Sequence, residues 1–273
     1  MACGLARHQR AYLLDGLRHS AECQFIDTFD ELDRLLPTLT RCDALVLAPQ
    51  DHRGRDALDT VERVARDWPA AGVVMLFPPR AEAASSIRSL VLAGAHALVF
   101  DGVHDTATSL AQAVENARRE VAAQVVFRRL QPLIPSALHS MAHAVVSRPE
   151  ALTSVALVAV ALGVHRKTLV NRCARCRSLQ PAAFILWCRL AMVGYLLERT
   201  GCTVESIAMT LGFPSHTALR NMIKRYTGRI ATDIRREGGL GAVLTAFGAR
   251  MSAKYAGDLA HTVTFAAVML AHV

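Results

Sequence analysis

A spacing that occurs twice in the second half of the chain constrains its fold more than any other feature. In each copy an alanine is followed four residues later by a glycine and then at once by an apolar residue, and a leucine follows two turns on. The copies begin at Ala159 and Ala208, and the leucines are Leu169 and Leu219. A small side chain lets two helices cross closely, and glycine permits the positive φ of a sharp turn between them. The spacing therefore predicts two helix-turn-helix units, each with a second helix exposed along one side.

The basic charge of the chain is concentrated around these two units. The whole chain has a net charge of +8, whereas residues 148–237 carry 14 Lys and Arg against 5 Asp and Glu, a net charge of +9. A localised positive field is typical of proteins that bind a polyanion, because cations that neutralise phosphates release condensed counterions. A solvated charged surface is the alternative interpretation, and composition alone favours it.

Helical periodicity predicts which side chains of the two second helices face outward. Leu169 and Cys173 face inward in the first unit, as do Leu219 and Ile223 in the second. The residues then predicted to face the bases are Lys167, Val170, Asn171, His216, Thr217, Arg220 and Asn221. Those predicted to reach phosphates are Arg166, Arg172, Arg175, Lys224 and Arg225. Asn can bond adenine, Arg can bond guanine, and a valine can contact the thymine methyl group, so these residue types suit base recognition. A merely solvated helix surface is the alternative.

The first half of the chain alternates short apolar runs with helical periods. Apolar runs at 23–26, 43–48, 72–77 and 97–100 predict strands, and apolar residues at helical spacing predict helices over 29–36, 56–68, 81–93 and 106–130. Strands that are apolar at every residue are buried on both faces, which is typical of a parallel sheet covered by helices. This half is therefore predicted to be a doubly wound α/β domain, whose opening strand lies either near Cys3 to Ala6 or at Ala11 to Leu14.

The segment from Pro135 to Glu237 resembles the C-terminal DNA-binding domain of the AraC/XylS family of transcription regulators. The resemblance rests on residues 203–213, 224–228 and 234–236, and on Arg189-Leu190 with Leu196-Leu197, which look like the family's linker helix. It implies an all-α double helix-turn-helix domain, double-stranded DNA as the partner of the outward residues, and RNA polymerase as a further candidate partner. Cys173 replaces a large aromatic, His165 a capping serine and Ala231 a proline, which predicts a less stable or less specific first unit.

The first half resembles the receiver domain of two-component response regulators, which has a flavodoxin-like fold. The resemblance rests on the apolar runs at 43–48 and 72–77 and on Leu92-Ala93-Gly94-Ala95 before the last strand. Phosphoryl transfer in that family needs an aspartate, a hydroxyl and a lysine at positions where this chain has Ala48, Phe77 and Asp101. We therefore predict a receiver-like domain that is not phosphorylated at the usual position, that forms a homodimer or binds a partner, and that acts on the second half through the helix at 106–130.

The cysteines and the absence of known catalytic motifs argue against several other classes of protein. Seven scattered cysteines, and an N-terminus without an apolar run, predict a cytoplasmic protein rather than a secreted one. Cys173 and Cys176 form a lone CxxC without the second pair that structural zinc needs, so we predict no metal and no cofactor. The sequence contains no glycine-rich phosphate loop, GxSxG or HExxH, so we predict no enzymatic activity. No apolar stretch has the length of a membrane span, and we predict no membrane association.

The chain is thus predicted to have four segments. They are a receiver-like α/β domain at 1–130, a linker and first helix at 131–148, the double helix-turn-helix domain at 149–237, and an apolar extension at 238–273. The sequence leaves open whether the extension packs on the body, supports self-association or stays mobile. We predict a sequence-specific, DNA-binding transcription regulator. Two alternatives remain, a protein-binding adaptor that has lost DNA binding and a metal- or thiol-responsive regulator that uses Cys173, Cys176 and Cys188.

Overall fold

The computed structural model describes residues 1–17, 23–38, 44–78, 84–103, 105–199 and 202–252, without the side chains of 38 and 84–86. The chain divides into two compact units, Met1–Val125 and Val126–Val273.

The first unit is built on a five-stranded parallel sheet. Its strands are β1 (Ala2–Cys3), β2 (Phe25–Ile26), β3 (Ala44–Leu47), β4 (Gly72–Phe77) and β5 (Ala97–Phe100). They lie in the order β2-β1-β3-β4-β5, which is the flavodoxin-like order. All six residues of β4 are buried, as its uniformly apolar sequence predicts for a strand covered on both faces. The predicted doubly wound α/β fold is confirmed, and β4 and β5 have the predicted bounds.

Five helices cover this sheet in two layers. They are α1 (Arg7–Gly16), α2 (Phe29–Leu35), α3 (Leu58–Asp67), α4 (Ala84–Ala93) and α5 (Thr106–Leu130), the last of which continues into the second unit. On one face, Leu32, Val61 and Leu90 bring α2, α3 and α4 into one core. On the other face, Leu13 and Leu110 belong to a second core that covers the sheet with α1 and α5.

The structure corrects the start of this unit. The opening strand is Ala2–Cys3, so its placement at Ala11 to Leu14 is wrong, because those residues lie in α1. The sequence did not predict α1, whose first turn is Arg-His-Gln-Arg and whose apolar face is weak. Residues 81–83 of the predicted helix at 81–93 lie outside the described residues.

The described part of the second unit is helical. Two short 3₁₀ helices, Gln131–Leu133 and Ser136–Leu138, precede α6. The α-helices are α6 (His139–Ser147), α7 (Val155–Ala161), α8 (Arg166–Arg175), α9 (Pro181–Leu197), α10 (Val204–Thr210), α11 (His216–Thr227) and α12 (Ala231–Arg236), followed by a helix at residues 240–252 that we call the C-terminal helix. The first helix predicted within residues 131–148 is therefore α6, and a 3₁₀ turn at Ser136–Leu138 directly precedes it. The central helix is α9, which is buried along most of its length and contacts α6, α7, α8, α10 and α12.

The C-terminal helix packs against α9. Its Phe247 lies with its ring centroid 5.5 Å from that of Trp187. A side chain at Gly194 would lie 2.9 Å from the carbonyl oxygen of Gly239 and from Val243, so only glycine permits this approach. Met251, near the other end, accepts a hydrogen bond from Ser178, which precedes α9. The sequence left open whether the extension packs on the rest of the protein, supports self-association or stays mobile. Residues 240–252 pack on the helical domain, and residues 253–273 lie outside the described residues.

Candidate nucleic-acid interface

The two predicted turns have the same backbone geometry. Gly163 has φ of 63° and Gly212 has φ of 64°, a region that side chains rarely adopt. Three backbone hydrogen bonds close each turn at matching positions. In the first turn, the N–H groups of residues 162, 163 and 164 donate to the carbonyl oxygens of residues 158, 160 and 159, respectively. In the second turn, the N–H groups of residues 211, 212 and 213 donate to the carbonyl oxygens of residues 207, 209 and 208, respectively. The repeated spacing therefore encodes a repeated turn.

Buried apolar residues brace each second helix against the first. Ala159 and Ala208, the small residues predicted at the crossings, are buried on α7 and α10. Leu169 and Cys173 on α8 are buried as well, and so are Leu219 and Ile223 on α11. Because these residues lie along one side of each helix, the opposite sides of α8 and α11 face the solvent.

A side-chain cap starts each second helix. The hydroxyl of Ser215 accepts a hydrogen bond from the N–H of Ala218 at 3.0 Å. At the matching position of the first unit, Nδ1 of His165 accepts a hydrogen bond from the N–H of Lys167 at 3.2 Å. His165 therefore still supplies a cap where the resembling family uses serine, and that departure leaves α8 capped.

Nearly all of the predicted DNA-contacting side chains are exposed. On α8 these are Arg166, Lys167, Val170, Asn171 and Arg175, whereas Arg172 is half-buried; on α11 they are His216, Thr217, Arg220, Asn221, Lys224 and Arg225. Neither helix contains an acidic residue. Among the described residues, none of the ion pairs involves the lysines and arginines of this set. Each helix thus presents polar and cationic groups to solvent without neutralising carboxylates.

Arg189, which was predicted only as part of the linker-like helix, joins α9 to the second turn. Its guanidinium is buried and donates to the carbonyl oxygens of Pro149 at 2.9 Å and Leu211 at 2.7 Å. It also lies over the ring of Phe213, 4.1 Å from the centroid. Burial lowers the pKa of Arg189. As the single charged residue of a 17-residue apolar helix, Arg189 carried a sequence signal for a buried structural role.

In the α/β unit, the structure places the three residues that the sequence predicted to stand at the phosphoryl-transfer positions of receiver domains, namely Ala48, Phe77 and Asp101. Ala48 directly follows β3 and offers no nucleophile. Phe77 is buried and stacks on Phe100, with ring centroids 5.2 Å apart. Asp101 is buried after β5, and its carboxylate is hydrogen-bonded to Nε2 of His8 at 2.8 Å and to the amide of Gln9. The carboxylate of Asp101 thus anchors α1 to the end of β5.

The neighbouring carboxylate of Asp51 is committed to the backbone. Burial raises the pKa of Asp51, but hydrogen bonds from the N–H groups of Phe29, Arg55 and Arg53 outweigh this effect and hold the pKa below its usual value. The hydrogen bonds to its two carboxylate oxygens therefore stabilise the loop after β3.

The metal- or thiol-responsive alternative depends on reactive cysteines or on a group of metal ligands. Burial raises the pKa of the Cys188 thiol on α9, which disfavours the reactive thiolate. Across the described ranges, no three His, Cys, Asp or Glu side chains are grouped so that they could hold a metal ion. Likewise, no helix in that part of the chain is long and apolar enough to cross a membrane.

Comparisons with known proteins support the interpretation of the second unit. Residues 158–237 match the family model described as a helix-turn-helix domain, which confirms the predicted resemblance over these residues. The search of curated proteins gave no match. Among solved structures, the chain is similar to RcsB, in a structure of two RcsB dimers bound to two parallel DNAs. The sequence identity is 14%, the match covers 68% of this chain and 95% of that chain, and the TM-score is 0.36. Full-length FixJ from B. japonicum gives 13% identity, 69% and 95% coverage, and a TM-score of 0.37.

Proposed function

We propose, from the helix-turn-helix domain at residues 158–237, that the protein is a sequence-specific, double-stranded DNA-binding transcription regulator. The observation that carries the proposal is the pair of matching turns, each followed by a capped helix with an exposed side free of carboxylates. A helix so presented has the size and polarity to enter a major groove about 12 Å wide.

The proposed division of labour follows the chemistry of the exposed side chains. Asn171, Arg220 and Asn221 would bond base edges, and Val170 would contact a thymine methyl group. Lys167 would face the bases, and the cationic side chains at 166, 172, 175, 224 and 225 would supply affinity by neutralising phosphates. Because α8 and α11 differ in sequence, one chain would recognise two unlike half-sites in successive major grooves, about 34 Å apart.

The α/β domain is proposed to regulate without phosphorylation at the usual position, because Ala48, Phe77 and Asp101 replace the reacting groups. We propose that it forms a homodimer, an interpretation supported by the exposed apolar side chains of Leu92 and Val103. We propose a cytoplasmic location, which is supported by the scattered spacing of the seven cysteines along the chain.

Phosphate uptake tests the proposed role of the α/β domain. Incubated with radiolabelled acetyl phosphate and Mg²⁺, the full-length chain is expected to take up no label, because no carboxylate directly follows β3. Stoichiometric, acid-labile label on an aspartate would contradict this proposal while leaving DNA binding untouched.

Selection from a random pool of duplex DNA tests the function itself. We expect a bipartite consensus, and an affinity that falls steeply as the salt concentration rises. A pool that yields no consensus, together with binding that barely depends on salt, would favour the adaptor. Affinity that changes with thiol reduction or with stoichiometric zinc would favour the metal- or thiol-responsive alternative.

A further inference from the structure

One helix of the second unit exposes an entirely apolar face. The sequence of α7 is Val-Ala-Leu-Val-Ala-Val-Ala, without a polar or charged side chain. Val158 and Ala159 are buried in the domain, whereas Leu157 is 46% exposed and Val160 is 80% exposed. Ala161, four residues after Leu157, is exposed on the same side. We call the side formed by Ala156, Leu157, Val160 and Ala161 the α7 face.

The second helix-turn-helix unit shows what a solvated face looks like at this position. The residues of α10 that match the α7 face are Glu205, Ser206, Met209 and Thr210, all of them exposed. Three of the four are polar or charged. The two units share their turn geometry, so the turn does not require an apolar side chain on this face. The apolar character of the α7 face therefore indicates contact with another apolar surface.

A cleft continues the α7 face. It has a volume of about 510 Å³. Its apolar lining is Phe127, Ala144, Ala161 and Leu162, and its polar lining is His139, Ser140, His143, Ser147 and Arg148. Phe127 forms an edge-to-face contact with His143, with ring centroids 5.1 Å apart. Ala161 belongs to both the cleft and the α7 face, so the two form one continuous surface that can receive large apolar side chains.

The chain contains an apolar segment that is separated by six residues from the end of the C-terminal helix. Residues 259–273, which lie outside the described residues, include no Asp, Glu, Lys or Arg and carry Leu259, Val263, Phe265, Val268 and Leu270. The C-terminal helix runs along α9 toward Ser178, which contacts Met251 and follows α8. Since α8 packs against α7, the described chain leaves the domain beside the first helix-turn-helix unit. Residues 253–258 can span up to roughly 20 Å when extended.

We propose that residues 259–273 bind the α7 face and the adjoining cleft of the same chain. The uncharged apolar segment and the uncharged apolar α7 face then cover one another, and the short connection holds the segment at an effective concentration on the order of millimolar. This contact would make the first helix-turn-helix unit the docking site of the extension. The inference is independent of DNA binding, and the failure of either proposal would not affect the other.

Hydrogen exchange measured by mass spectrometry on the full-length chain tests this proposal. Val160→Glu places a charge on the α7 face at a residue that is mostly exposed, so the domain keeps its fold. We expect amides of 259–273 to exchange at least about ten-fold faster in this variant than in the wild type, because the segment is released. The matched control is Met209→Glu, the same position of α10, which should leave exchange in 259–273 unchanged.

The reciprocal variant is Phe265→Asp, which should speed exchange at residues 155–163 while α9 and α11 keep wild-type exchange. Equal exchange of 259–273 in the wild type and in Val160→Glu would overturn the proposal. Protection that rises with protein concentration would also overturn it, because the occupant would then be a second copy of the chain.

Discussion

At the scale of single residues, two arginines of the helical domain carry the same charge in opposite surroundings. Arg189 is buried and donates to carbonyl oxygens that lie at the ends of other helices, whereas Arg220 is exposed on α11 without a carboxylate partner among the described residues. Burial of a guanidinium is costly unless its donors are satisfied, and satisfied donors fix the elements that they join. Arg189 is therefore a structural residue, and Arg220 is free to meet a ligand.

Replacing Arg189 by methionine should destabilise the helical domain. Methionine keeps much of the volume but leaves the carbonyl groups of Pro149 and Leu211 buried without their donor, which costs roughly 2 kcal/mol or more of unfolding free energy. Urea unfolding followed by far-ultraviolet circular dichroism measures this loss. The matched control is Arg175→Met on exposed α8, which should unfold as the wild type does. If both variants unfold alike, the proposed role of Arg189 is wrong.

Arg220 and Arg225 should affect DNA recognition differently. Arg220→Ala should relax base preference at one position of the selected site and cost about 1–3 kcal/mol of binding free energy. Arg225→Ala should instead weaken all sequences alike and reduce the salt slope by about 1. Binding of each variant to the selected site and to single-base variants of it, over a range of salt, separates the two. Arg119→Ala, which removes the same charge from α5, is the control and should bind as the wild type; identical behaviour of all three variants would contradict the assignment.

At the scale of elements, the sequence predicted best where one local pattern decides the structure. Uniformly apolar β4 and the long helix α5 have the predicted bounds, and both turns lie at the predicted glycines. The helix α1 was missed because a tertiary contact, the carboxylate of Asp101 with His8 and Gln9, holds a segment whose own pattern is weak. The position of the C-terminal helix depends on its packing against α9, which no local pattern encodes.

The two turn glycines should differ in their tolerance of alanine. Alanine at either position is forced into left-handed backbone, which costs roughly 1–2 kcal/mol. At Gly163 nothing lies within 4 Å of the added Cβ, whereas at Gly212 the carbonyl oxygen of Glu150 lies 3.1 Å away. Gly212→Ala should therefore lower the thermal midpoint further than Gly163→Ala. A larger loss for Gly163→Ala would show that the second turn does not pack against Glu150 as described.

At the scale of the whole molecule, the chain joins an α/β domain to a helical domain that carries most of the positive charge. Residues 148–237 hold a net charge of +9, whereas the rest of the chain sums to −1. The first domain is organised around the parallel sheet, and the second is organised around α9, against which the helix-turn-helix units pack. The identity of the outward residues was predicted from helical periodicity, but which bases they contact depends on DNA geometry, which the sequence of the protein does not contain.

The measurement that tests the central proposal most directly is methylation interference on the DNA selected by the full-length chain. We predict two clusters of major-groove contacts about one helical turn apart, one for α8 and one for α11. The double variant Arg220→Ala/Asn221→Ala should lose one cluster and keep the other, because each helix of a chain contacts its own groove. A single cluster in the wild type, or the loss of both clusters in the variant, would contradict recognition of two unlike half-sites by one chain.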